Sequence, residues 1–456
     1  MIDWELDEGI QAFLRENEDR MYRDIDAMLS IDSTTGEAEP GKPLGRAIDA
    51  ALDRILGICA RYGLKTRNID GVVGEAVWGE GEQSLGLLAH VDIVPAGEGW
   101  TKPPFALTIE DGVMYGRGVI DDKGPAVASV YALLAALHAG AKLNRRVVLI
   151  FGGDEESGMR CLKRYLQTEK APDLAFSPDA GFPVIHCEKT IAHGALAVAL
   201  PIGSALKSIA GGTRPNVVPN LAAAGLSAVR PGFMPPQDVT LQAVAEGYQL
   251  VAKGVQAHGS TPDKGRNAIV ALLGALAAAL PQADPAIALV AGLHELCADH
   301  SGAGLGIACR DDASGPLTLN LGVIGIYEGV IRADWDIRHP VTIDPTANLY
   351  ETLPRAARAK GWSAEGTNHS KGLYLPEDHP LVSTLMGIYN EITNSQERPV
   401  AIGGGTYARQ MPCAVAYGML FGHDEETAHM ADERVTVETF LQATRIYAHA
   451  IAHLGA

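Results

Sequence analysis

The sequence predicts an α/β protein of two domains, and three observations carry the prediction. At 456 residues the chain exceeds what one hydrophobic core usually serves. Ser84–Ala89 and Arg146–Phe151 are short apolar runs that fit strands buried on both faces of a sheet. Between them, Gly124 to His138 is apolar at helical spacing, and strand–helix–strand at this scale indicates an α/β sheet.

In chain order, Gly9–Ile31 and Leu44–Tyr62 carry helical spacing ahead of the first apolar strand. In the helix that follows it, Pro125 suits a first turn and Gly140 a C-terminal cap. From about residue 188 the texture changes. Ile191–Leu200 is an alanine-rich strand, a long Ala/Leu-rich helix follows Thr261, and Gly329–Ile337 is strand-like. Pro354–Thr367 leads to Pro376, Asp378 and Pro380, a boundary, and a last helix runs from Val435 onward. The expected division is a first domain over 1–187 and 376–456, interrupted by a second over 188–375.

Composition excludes several classes. The net charge is −18 and no Lys/Arg cluster occurs, so a polyanion-binding surface is not expected. The six cysteines are scattered without a CxxC pair and read as reduced thiols rather than disulfides or metal ligands. Met1-Ile2-Asp3-Trp4-Glu5 is acidic where a secretory signal would be basic. The longest apolar run, Ala268–Leu280, is too short to span a bilayer and reads as a core helix. A cytoplasmic protein is the expectation.

Several motifs carry chemistry. Leu88-Ala89-His90-Val91-Asp92 ends an apolar strand, and residues two apart share a strand face, so Asp92 can reach the His90 ring. Such a carboxylate would orient a metal-bound imidazole. Gly116-Arg117-Gly118-Val119-Ile120-Asp121-Asp122-Lys123-Gly124 sets two carboxylates before a helix; a cap role explains one, and a bound cation better explains two. Asp154-Glu155-Glu156 follows a buried strand, where three acids repel unless positive charge lies among them. Ser177-Pro178-Asp179 and His429-Met430-Ala431-Asp432-Glu433 are less specific, and His423 rivals His429.

In this order the set resembles the co-catalytic di-zinc metallopeptidase and amidohydrolase family, which includes carboxypeptidase G, aminoacylase and the carnosinase-type dipeptidases. Val94-Pro95-Ala96-Gly97-Glu98-Gly99-Trp100, Phe176-Ser177-Pro178-Asp179 and Gly403-Gly404-Gly405-Thr406-Tyr407-Ala408-Arg409 are similar to the PepV-like (Sapep-type) dipeptidases of bacteria. The resemblance implies a phosphorylase/hydrolase-like zinc-peptidase catalytic domain with an inserted α+β ferredoxin-like lid. It also implies two divalent metal ions, zinc first, with manganese or cobalt as alternatives. Asp121 would bridge them, His90 and Asp179 would complete one site, and Glu156 and His429 the other. Glu155 would be the general base, Asp92 the partner of His90, and Asp121-Asp122 a cis peptide. The residues alone do not separate the roles of Glu155 and Glu156.

In the second domain, Thr213-Arg214-Pro215-Asn216-Val217-Val218-Pro219 and Ala257-His258-Gly259-Ser260-Thr261-Pro262 resemble the family's lid motifs. The resemblance gives His258 the tetrahedral oxyanion, a role typically worth ~3–4 kcal/mol, with Asn216 beside it. It gives Arg338, whose planar fork suits a carboxylate, the substrate's terminal carboxylate, with Gly404 and Arg409 as further contacts. His186, His193, His339 and His379 are read as structural. The expected activity is dipeptide hydrolysis by a monomer whose own lid completes the site, with neither nucleic acid nor membrane as partner. The alternatives are an N-acyl-amino-acid deacylase, a carnosinase-like amidohydrolase, or a peptide- or metal-binding protein without catalysis.

Overall fold

A computed structural model describes residues 2–456. By its internal contacts the chain divides into two units. Of the described residues, the first comprises 2–186, 375–400 and 406–456, and the second 187–374 together with 401–405.

The first unit is built on a mixed sheet. From one edge its strands run Lys65–Ile69, Val73–Trp78, Arg146–Gly152, Ser84–His90, Leu174–Ser177 and Ala414–Ala416. The last four of these are parallel to one another. Ser84–His90 is buried along its whole length and Arg146–Gly152 along nearly all of it, as the apolar runs required. The intervening helix, Lys123–His138, is buried almost all round rather than along one stripe. It packs against the terminal helices Trp4–Leu29 and Val437–Leu454. Each terminal helix is capped by its own side chain: Asp3 accepts from the amides of Glu5 and Leu6, and Thr436 from that of Thr439.

The second unit is an antiparallel sheet of eight strands. Their order is Val239–Val244, Gly247–Lys253, Leu221–Leu226, Leu206–Gly211, Thr318–Tyr327, Val330–His339, Thr190–Ala199 and Ser363–Ser370. The helix Ala268–Ala279 is the apolar run read as a core helix, and its Ile269, Leu272 and Leu276 are fully buried in that core. Trp335 is fully buried in it, opposite Gly194 in the pairing of Thr190–Ala199 with Val330–His339. A Cβ on Gly194 would come within 2.3 Å of the indole, so the small residues of that strand make room for Trp335. Among the described residues no helix is long and apolar enough to cross a membrane.

Candidate metal centre

Parallel strands place their C-terminal ends on one side of a sheet, and that is where the acidic motifs fall. His90 is the last residue of Ser84–His90. Its neighbours Arg146–Gly152 and Leu174–Ser177 run into Asp154-Glu155-Glu156 and Asp179. Asp121 arrives from the loop before the helix Lys123–His138, and its peptide to Asp122 is cis. His429 comes from the loop before the strand Arg434–Thr436, with a left-handed φ of 63°.

Two triplets of ligand atoms result, and Asp121 belongs to both. His90, Asp121 and Asp179 form one, and Asp121, Glu156 and His429 the other, each within 4.8 Å. His90 Nε2 lies 3.0 Å from one Asp121 oxygen and 3.7 Å from Asp179. His429 Nε2 lies 2.9 Å from the other Asp121 oxygen and 3.0 Å from Glu156. His423, the rival, is exposed and lies 3.9 Å from Asp424.

The electrostatics are those of a site short of positive charge. Burial lifts Glu155 well above the usual carboxylate range; His90 opposes this, while Asp179, Glu156 and Asp121 add to it. Burial, with the charge of Asp121, pushes Asp179 up to about 7. Burial acts on Asp121 in the same sense, but the neighbouring imidazoles of His429 and His90 hold it low. Asp121 and Glu156 in turn raise His429 to about 10. His90 Nε2 is fully buried and has no partner of hydrogen-bonding geometry, although Asp121 is 3.0 Å away. A buried ring nitrogen facing two carboxylates in this way, among nitrogen and oxygen donors without thiolate, fits a divalent cation. Metal binding would displace the protons that these groups otherwise hold.

The surrounding groups fix the cluster. His90 Nδ1 is 3.0 Å from the main-chain oxygen of Asp92, so the proton on this side leaves Nε2 as the lone-pair nitrogen. The Asp92 carboxylate lies 3.4 Å from the same ring nitrogen. Its two oxygens accept from the main-chain amides of Glu155 and Glu156, at 3.1 Å each. Asp92 therefore orients the acidic loop as well as the imidazole.

In the second unit, Val217 pairs with His258, and Gly259 donates to the Asn216 oxygen at 2.7 Å, so Asn216 and His258 lie side by side. The Ser260 amide donates to His258 Nδ1, which puts the proton of the neutral ring on Nε2, where it can be donated. Burial, with the Arg338 charge, keeps that ring below its ordinary pKa and so neutral. Arg338 is buried and its Nη1 donates to the Gly403 oxygen at 2.8 Å. Gly404 follows in this unit, while Arg409 lies in the first, in the turn Tyr407–Gln410.

The family model "Peptidase family M20/M25/M40" matches residues 86–453. The chain belongs to peptidase family M20/M25/M40. The curated "Putative dipeptidase YtjP" of Bacillus subtilis (strain 168) is 35% identical to it, with all of both chains covered. Among solved structures, the di-peptidase Dug1p of Saccharomyces cerevisiae superposes with a TM-score of 0.59 at 13% identity, covering 98% of each chain. Human carnosine dipeptidase 1 gives 0.58 at 13% identity, covering 98% of this chain and 99% of its own. The shared fold is the one expected from the sequence, an α/β peptidase domain with an inserted α+β lid.

Glu433 and Tyr407 of this M20/M25/M40 chain escaped the sequence reading, and Asp122 does not act as the helix cap it was read to offer. Glu433 is fully buried and accepts from the amides of Gly118, Ile120 and Asp121 at 2.9–3.2 Å, while pairing with Arg117 at 2.5 Å. It thereby holds the loop that presents Asp121, and burial pushes it up to about 7. Asp122 accepts from the His90 amide at 2.9 Å instead of capping the helix it precedes. Tyr407 packs edge-on to the His90 ring and bonds to Cys161 at 3.1 Å. The repeated glycines of Gly116-Arg117-Gly118 were the available signal for Glu433, since amides left free by a tight loop need an acceptor.

Proposed function

We propose that the protein is a metal-dependent dipeptidase, with the first unit as catalytic domain and the second as substrate-binding lid. The observation that carries the reading is the pair of ligand triplets sharing Asp121. The full-length relative named for dipeptidase activity supports the substrate class. His90 and Asp179 would hold one divalent ion, Glu156 and His429 the other, and Asp121 both. Zinc suits these donors, as do manganese and cobalt.

When bound, the two ions would supply Lewis acidity to the peptide carbonyl and to the attacking water. Glu155 takes the proton of the attacking water and delivers it to the leaving amine. Its place beside both ligand triplets but in neither leaves it free for that proton transfer. Asp92 keeps Glu155 and His90 in register through the contacts described above. His258 hydrogen-bonds the oxyanion through its Nε2–H, Asn216 supports it, and Arg338 takes the substrate's terminal carboxylate. Gly404 and Arg409 complete the substrate contacts.

The test is turnover of dipeptides, tripeptides and N-acetyl amino acids side by side, with zinc, manganese or cobalt supplied. Release of amino acids from dipeptides is expected. Hydrolysis of the acetylated substrates alone would replace this reading with a deacylase. Binding without turnover of any would leave a non-catalytic protein. Gel filtration is expected to give a monomer, and an obligate dimer would overturn that part.

A further inference from the structure

Asp336 and Arg338 stand two residues apart on the strand Val330–His339, hence on one face of the sheet. Asp336 is fully buried and Arg338 nearly so. Arg338 Nε donates to Asp336 Oδ1 at 2.7 Å and Nη2 to Oδ2 at 3.0 Å. On the neighbouring strand, His193 is the residue paired with Asp336, and its Nε2 reaches Oδ2 at 2.8 Å. A guanidinium has five N–H donors in a rigid plane. Two are taken by Asp336 and one by the Gly403 oxygen. The remaining two lie on Nη1 and Nη2, the pair that forms the end of the fork and matches a carboxylate.

We propose that Asp336 is a positioning residue that consumes the side face of Arg338 and so presents its end face to the substrate's terminal carboxylate, with His193 bracing Asp336. This rests on the reading of Arg338 as carboxylate anchor. The same arrangement ties the anchor to the oxyanion donor. Gly403, which accepts from Arg338, lies so close to Ser260 that a Cβ on it would come within 2.6 Å of that residue's Cβ. Ser260 in turn bonds to His258 Nδ1 at 2.7 Å. Asp336 thereby sets specificity for a free terminal carboxylate without touching substrate.

The experiment compares a dipeptide with its C-terminal amide, using wild type, Asp336→Asn, Asp336→Glu, His193→Gln and Arg338→Ala. Asn keeps the size of Asp but turns an N–H towards one of the Arg338 donors. The expected result for Asp336→Asn is a KM for the free dipeptide raised about tenfold, with a much smaller change in kcat and in the rate on the amide. Asp336→Glu restores part of the preference for the free carboxylate, which a merely structural role would not give. His193→Gln is half-exposed and so a second route should Asp336→Asn fail to fold; it loses roughly threefold of that preference. Equal loss on both substrates in Asp336→Asn, or full preference in His193→Gln, overturns the proposal. Arg338→Ala separates it from its premise: if that variant keeps the preference for the free dipeptide, the anchor reading fails instead.

Discussion

In the first unit Asp121, Glu155, Glu156 and Asp179 crowd together, and the protein supplies only the imidazoles of His90 and His429 among them. In the second, Asp336 is bracketed by the guanidinium of Arg338 and the imidazole of His193, so that both its oxygens are paired. Both clusters are buried and both centre on an aspartate. Burying a charge is tolerable only when it is paired. The second cluster brings its own permanent cation, the Arg338 guanidinium. The first has no guanidinium among its two triplets, and its carboxylates and imidazoles stay poised to trade protons for metal ions. The difference separates a site that acts on a ligand from one that shapes a neighbour.

The largest expected effect breaks the first cluster at its shared member. Asp121→Asn should abolish turnover, and should also abolish the rise in melting temperature that added zinc, manganese or cobalt gives the wild type. For a ligand at a hundred times its Kd that stabilisation is about 2.7 kcal/mol. A variant that still gained stability from metal would show that Asp121 is not shared by two ions.

Glu155→Gln sharpens the same comparison, because Glu155 lies in the acidic cluster yet in neither triplet. A loss of roughly 10²–10⁴ in kcat is expected for a missing proton carrier. Metal content, measured by elemental analysis, should stay at wild-type level. Full activity in this variant would remove the general base from the mechanism. His258→Ala, in the second unit, should cost roughly 10²–10³ in kcat and leave both metal content and metal-induced stabilisation unchanged.

How much of this was legible in the sequence depends on range. The alternation of buried strands and helices was readable because it is local: Ser84–His90, Lys123–His138 and Arg146–Gly152 each announce themselves by spacing. The acids at the strand ends were readable for the same reason, and the order of the motifs suggested the proposed roles that spacing could not. Glu433 was not readable as a support, since its partners Gly118, Ile120 and Asp121 lie more than 300 residues away in the chain. Asp92 was half readable. The period of a strand predicted its approach to the His90 ring, but its bonds to the amides of Glu155 and Glu156 depend on a neighbouring strand. His193 looked structural because an isolated histidine gives no sign of the aspartate across the sheet.

The smallest effect is expected where the first unit itself holds a completed cluster. Asp7, on the helix Trp4–Leu29, accepts from Arg445 at 2.6 and 2.7 Å and pairs with His449 at 2.9 Å, both on Val437–Leu454. Burial opposes its charge, but the bonds from Arg445, His449 and Gln11 hold Asp7 below its ordinary value. Burial keeps His449 below its own, more strongly than Asp7 raises it. Both shifts are downward, so both contributions to stability are present at neutral pH and are lost on acidification. That of His449 goes first, as pH falls from about 6.5 through its folded value, and that of Asp7 below about 3.9. The raised carboxylates of Asp179 and Glu433 act in the opposite sense over this range, so the check is a difference: from pH 7 to pH 5 the melting temperature of His449→Gln should fall less, or rise more, than that of the wild type. Asp7→Asn should cost on the order of 1–3 kcal/mol in stability at pH 7 while KM and metal-induced stabilisation hold. If Asp7→Asn altered metal binding instead, completed pairing would no longer mark a cluster as scaffold, and the contrast between the two units would lose its meaning.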